Sequence, residues 1–171
     1  MTMTSGVRKL ALTAHIVSSV GWFGAVAGFL ALAVAGLRSQ DAQMTRAAYL
    51  SMELTAWFVI VPSSFASLLT GLVSSLGTTW GLFRHYWVLV KLLLTVLATA
   101  VLLLHTRLIS YVAGAAAEAT LSSADLRGVR IQLAADAGAA LLVLLVATTL
   151  GVFKPRGMTR YGWRKQHEQR A

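Results

Sequence analysis

Residues 87–105, WVLVKLLLTVLATAVLLLH, form an apolar run long enough to cross a bilayer, and three further runs occupy most of the chain. About 20 apolar residues suffice to cross ~30 Å of hydrocarbon as a helix. The runs lie near 10–37, 48–76, 86–106 and 131–153. In lipid every backbone polar group must find its partner inside the protein, which leaves helices or closed barrels. Runs this long exceed a barrel strand of about 9–11 residues, so each is predicted to be a helix. The linkers RSQDAQMTR, GTTWGLFRH and AGAAAEATLSSADLRGVR are too short to hold a domain. Neighbouring helices are therefore expected to be antiparallel, giving an all-α, four-helix, up-down-up-down membrane bundle. Residues 1–171 read as one transmembrane domain, with a basic tail at 154–171. The first run follows Arg8 and Lys9, and ALAVAG resembles a cleavage site, but the run is longer than the apolar core of a signal peptide.

Composition narrows the chemistry. The chain is 57% hydrophobic and 12% charged, whereas soluble domains hold about 25% charged residues. It has no cysteine, which excludes disulfides, thiolate metal sites, iron–sulfur clusters and covalent c-type haem attachment. The net charge of +9 does not indicate nucleic acid, because six of the fifteen Lys and Arg residues fall in the last eighteen positions, just after an apolar run. That placement suits a membrane-surface tail. With both termini in the cytoplasm, that side holds nine basic residues and the other side five, the direction the positive-inside rule favours.

Lys91 is the only charged residue between Trp87 and Leu104. It lies seven residues beyond Arg84, or ~10 Å along a helix, and His15 lies six beyond Lys9, or ~9 Å. Two nitrogen-bearing side chains on different spans are thus expected at one depth. Thr95 and Thr99 follow Lys91 at four-residue spacing, so this side of the helix should face inward. A second polar layer of Glu53, His105, Arg107 and Asp136 is expected near the outer face, with Arg46 and Arg130 in reach as ion-pair partners. Pro62 predicts a kink in the second span. Two small-residue stripes, Gly21, Gly24, Gly28, Ala31 and Ala35 on one helix and Ser63, Ser67, Gly71 and Ser75 on another, predict close helix packing. At the inner layer, imidazole and a deprotonated amine can both ligate haem iron, a charged lysine can pair with a haem propionate, and, as a third alternative, the lysine stem can snorkel back to the cytoplasmic headgroups. Copper is less well served, since only Met52 of the five methionines lies within a span.

The segments HIVSSVGW (15–22), MELTAWFVIVPSSFASLLTGL (52–72) and WVLVKLLL (87–94) resemble three helices of the superfamily that contains HemJ-type protoporphyrinogen oxidases and CopD-like copper-resistance proteins. The nearest likeness is to an uncharacterised bacterial family of four-helix membrane proteins in that neighbourhood. A histidine followed seven residues later by Trp, a Met-Glu pair with a later Pro, and Trp-x-x-x-Lys mark the HemJ-type helices. Here these are His15 and Trp22, Met52, Glu53 and Pro62, and Trp87 and Lys91. The resemblance implies that His15 and Lys91 bind haem b, as tentative iron ligands, in a bacterial plasma (inner) membrane. The chain after Trp22 reads FGAVAGFLALAVAG, without the Pro-Arg-Leu and further histidine of those oxidases. Haem binding is therefore the implied property, rather than protoporphyrinogen oxidation.

The expected partners are the lipid bilayer, haem or another tetrapyrrole, and a second copy or a membrane redox partner. Electron transfer or oxidation of a small molecule would follow, and enzymatic activity stays open. Two other classes remain: a cofactor-free membrane subunit or transporter-like protein, and CopD-like copper traffic. The charge asymmetry yields a direct test. A reporter fused after Ala171 should give a cytoplasmic signal, and one inserted between Ala116 and Asp125 an external one. Opposite signals would reverse the orientation.

Overall fold

The computed structural model describes residues 3–77, 83, 85–118, 124–155, 157, 159 and 163–164, with backbone only at 124 and 125. Arg84, His167 and most of the basic tail lie outside the described residues. Helix α1 runs Ser5–Arg38 and α2 Ala42–Thr55. A π-helical turn, Ala56–Ile60, leads into α3, Val61–Leu76. Helices α4, Tyr86–Ala117, and α5, Ala124–Phe153, complete the chain. Four stretches are long and apolar enough to cross a membrane: Ser5–Arg38, Ala42–Leu76, Tyr86–Ala117 and Leu126–Phe153. The all-α four-helix membrane bundle expected from the apolar runs is the architecture observed.

The helices outrun the expected boundaries because hydropathy marks the apolar length rather than the helical length. At 34 residues α1 is ~51 Å long, well beyond ~30 Å of hydrocarbon. Helix α2 begins at Ala42, not near 48, because Asp41 caps it by accepting from the Gln43 N–H at 2.9 Å. Ser39 closes the preceding turn, its hydroxyl accepting from the Asp41 N–H at 3.1 Å. Much of the expected linker after α4 is helical too, since its alanines favour helix. Helix α5 stops at Phe153, where Lys154 takes a left-handed φ of 43° ahead of Pro155. Proline disfavours helical geometry in the residue before it.

Pro62 marks a change of helical register. The Val61 N–H reaches back five residues to the Ala56 carbonyl. The wider turn just before Pro62 suits its ring, which would otherwise press on the carbonyl four residues back, and which lacks a donor for that carbonyl.

The core sits along one stripe of α1, formed by Trp22, Val26, Phe29, Ala33 and Gly36. It packs on Tyr49, Met52, Ala56 and Ile60 of the second span and on Ile109, Val112, Leu133 and Ala137 of α4 and α5. The stripe of Gly21, Gly24, Gly28 and Ala31 is instead exposed, and a Cβ at any of its three glycines would meet nothing. This corrects the packing role expected for it. The Ser67–Gly71 stripe does face α1, the helix against which α3 packs most extensively.

Gly36 is a packing glycine of a different kind. A Cβ there would lie 2.8 Å from Tyr49 Cε2 and 2.9 Å from Cζ. Gly36→Ala should therefore destabilise the bundle by about 1–3 kcal/mol, as overpacking does. Gly28→Ala, on the open face, should leave it unchanged. Thermal unfolding of the detergent-solubilised protein measures both, and equal melting temperatures would contradict this packing.

Candidate functional site at the His15–Lys91 pair

At the end of the bundle that carries the start of α1 and the end of α5, two of the expected site residues touch. Lys91 Nζ lies 3.2 Å from His15 Nε2. The other ring nitrogen, Nδ1, is 3.1 Å from the Ser67 carbonyl and 3.2 Å from Thr70 Oγ1. The carbonyl can only accept. The Thr70 hydroxyl already donates to the Ala66 carbonyl at 2.6 Å, so towards the ring it offers a lone pair. Nδ1 therefore carries a hydrogen shared between these two oxygens. With the hydrogen on Nδ1, Nε2 is left as an acceptor, and Lys91 Nζ donates to it.

Helix α1 carries the histidine, and three further elements position the pair. Helix α3 fixes the ring through Ser67 and Thr70, α4 supplies the lysine, and α5 leaves room for it. A Cβ at Gly151 would lie 3.2 Å from Lys91 Nζ, and one at Gly71 would lie 3.0 Å from His15 Cε1. A layer of hydroxyls joins α1 to α3: Ser19 Oγ is 2.8 Å from Ser67 Oγ, and Ser18 Oγ is 3.3 Å from Thr70 Oγ1. Thr95 and Thr99 do turn inward but bond back to the carbonyls of Lys91 and Thr95, at 2.8 and 2.9 Å. They satisfy themselves and add no group to the site. No carboxylate pairs with Lys91 among the described residues, and its hydrogen-bond partner is the imidazole.

The donor set can be tested against haem. At 3.2 Å, His15 and Lys91 are hydrogen-bonded to each other, with no room for a metal ion between the two nitrogens. An ammonium with no carboxylate partner does suit a propionate or another anion. Among the described residues no three His, Asp or Glu side chains cluster to hold a metal ion.

The other expected layer divides. His105 Nε2 lies 2.9 Å from Asp136 Oδ2, an ion-pair distance, although the approach is not aligned as a hydrogen bond. His105 Nδ1 donates to the Val101 carbonyl at 2.8 Å. Arg107 is exposed and Glu53 half-buried, and neither makes a hydrogen bond or ion pair among the described residues. The arginine partner expected for Glu53 is thus not found. Arg130 is committed elsewhere: its Nε donates to Tyr49 Oη at 2.8 Å, an Nη donates to the Gly36 carbonyl, and its guanidinium lies 5.0 Å from the Tyr49 ring centroid.

Sequence reasoning missed Tyr49, Thr70 and Gly151. Tyr49 stands four residues before Glu53, and only a search for hydroxyl acceptors near arginine would have raised it. Gly151, a lone glycine near a helix end, carries no signal.

The fold and its polar side chains define an integral membrane protein with four apolar spanning helices. The family described as predicted integral membrane protein (DUF2269) matches residues 9–155, and the chain belongs to it. No curated protein and no solved structure matches the chain.

The contrast between the two polar contacts is measurable. Asp136→Asn should cost less than about 1 kcal/mol, since the pair is part-exposed, with side-chain accessibilities of 26% and 38%. Tyr49→Phe should cost about 1–3 kcal/mol, because it strips an acceptor from a partly buried guanidinium. Chemical denaturation in detergent would rank them, and the reverse order would refute the assignment of Arg130 as the structural tie.

Proposed function

We propose that the protein binds a membrane-accessible ligand through an anionic group held at the His15–Lys91 pair, with a propionate of haem b as the first candidate. The observation that carries this is the intramembrane amine whose hydrogen-bond partner is an imidazole and which has no carboxylate near it. An unneutralised charge inside a span is costly, and such residues mark functional sites more often than not. An anion from a ligand would supply the missing counter-charge. His15, tethered through Nδ1, would keep Lys91 aimed, and the bare Cα of Gly151 would leave the approach open. The likeness to HemJ-type proteins, which implicates the same two residues, supports a tetrapyrrole as the occupant. Haem held there would supply one-electron redox chemistry. Direct ligation of its iron by both residues would first require the pair to part.

A cofactor-free membrane subunit is the second reading, favoured by a specific observation: both ring nitrogens of His15 already have partners.

Absorption spectra of the detergent-purified protein, oxidised and dithionite-reduced, test the proposal after expression with haem supplementation. A Soret band is expected in the wild type and in Lys91→Arg, which keeps the charge, and loss is expected in Lys91→Met. A band lost in Lys91→Arg would instead indicate an iron ligand, because guanidinium stays protonated. Native mass spectrometry of the same samples reads any other copurified anion. No tetrapyrrole in the wild type removes haem as the occupant. No bound anion that distinguishes wild type from Lys91→Met ends the anion-site reading.

A further inference from the structure

Glu53 sits on the second span fourteen residues from Ser67, ~21 Å along the helix from the His15–Lys91 pair. It is half-buried and makes no hydrogen bond or ion pair among the described residues. With Leu54, Trp57 and Phe58 of the same span it lines a shallow, open groove. The walls face outward: Leu54 is 60% exposed, Trp57 46% and Phe58 76%, on a stretch apolar enough to lie in a membrane. The indole is held at its edge, where Nε1 donates to Ser110 Oγ of α4 at 3.4 Å. The π-helical turn begins at Ala56, so both aromatic residues belong to it, and such turns are frequent at functional sites.

We infer that this groove binds a lipophilic organic monocation that enters from the bilayer. A carboxylate with no partner supplies the counter-charge, and the faces of Trp57 and Phe58 supply cation–π attraction and an apolar bed. A bare metal ion does not fit, because one carboxylate stands without further ligands. The groove's other lining residues are apolar or aromatic and exposed, so a strongly hydrated polycation is not accommodated either. The nearest basic residue on the same helix, Arg46, is exposed and seven residues away, ~10 Å along the axis. Cation capture here is independent of the anion site at the other end of the bundle.

The test is equilibrium binding of radiolabelled tetraphenylphosphonium to the full-length protein in nanodiscs of zwitterionic lipid. Saturable binding to the wild type is expected. Glu53→Gln should weaken it at least about tenfold, and Trp57→Leu about three- to thirtyfold, within the range of a cation–π contact. Lys91→Met should bind as the wild type does, which separates this site from the proposed anion site. Size-exclusion profiles and melting temperatures identify folded variants. If Glu53→Gln does not fold, Trp57→Leu decides, because its side chain is exposed to lipid. No saturable binding to the wild type overturns the proposal, and so does undiminished binding in whichever folded variant decides.

Discussion

The hydrocarbon core of a bilayer offers no hydrogen-bond partner, and the structure is organised around that lack. Helices satisfy the backbone over spans of about 30 residues. Side-chain hydroxyls then do the same locally: Thr55, Ser75, Thr95, Thr99 and Thr148 each bond to the carbonyl four residues earlier. Even the interruption at Pro62 is absorbed by a register change rather than an open break, with the Val61 N–H reaching the Ala56 carbonyl. What remains unsatisfied along a helix must be satisfied between helices, and those few contacts set the functional possibilities.

They concentrate at the two ends. At one end, Lys91 donates to a His15 ring whose other nitrogen is held by Ser67 and Thr70, so the amine is kept in a defined place. At the other, Arg130 ties α5 to Tyr49 and Gly36 while His105 meets Asp136 across α4 and α5. The apolar core lies nearer this second end, where the largest fully buried side chains are Tyr49 and Met52 of α2 and Val112 of α4. The His15 end is held mainly by polar contacts and small residues.

Several features were legible in the sequence. Four apolar runs prescribe four helices because length alone excludes other spanning structures. The depth match between His15 and Lys91 anticipated their meeting, since helical rise converts residue counts into height and the first and third spans run the same way from the same face. The outer layer was legible only as a set. His105 and Asp136 paired, but Arg130 turned to a hydroxyl and a carbonyl, and the half-buried Glu53 carboxylate has no partner among the described residues. Height does not determine azimuth, and azimuth decides which of several residues in one layer can touch.

The glycine stripe of α1 shows the same limit most clearly. Gly21, Gly24 and Gly28 have the spacing of a packing seam, yet the buried seam is Trp22, Val26, Phe29, Ala33 and Gly36. In a soluble protein, polarity would mark the outward face. In a membrane both faces are apolar, because lipid and neighbouring helix make the same demand on composition. The sequence by itself determined the class of fold, the number of spans and the approximate height of each polar group. Only the tertiary structure decided which face of each helix meets another, because that choice rests on the shape fit of a side chain such as Tyr49 against the bare backbone of Gly36, which hydropathy does not record.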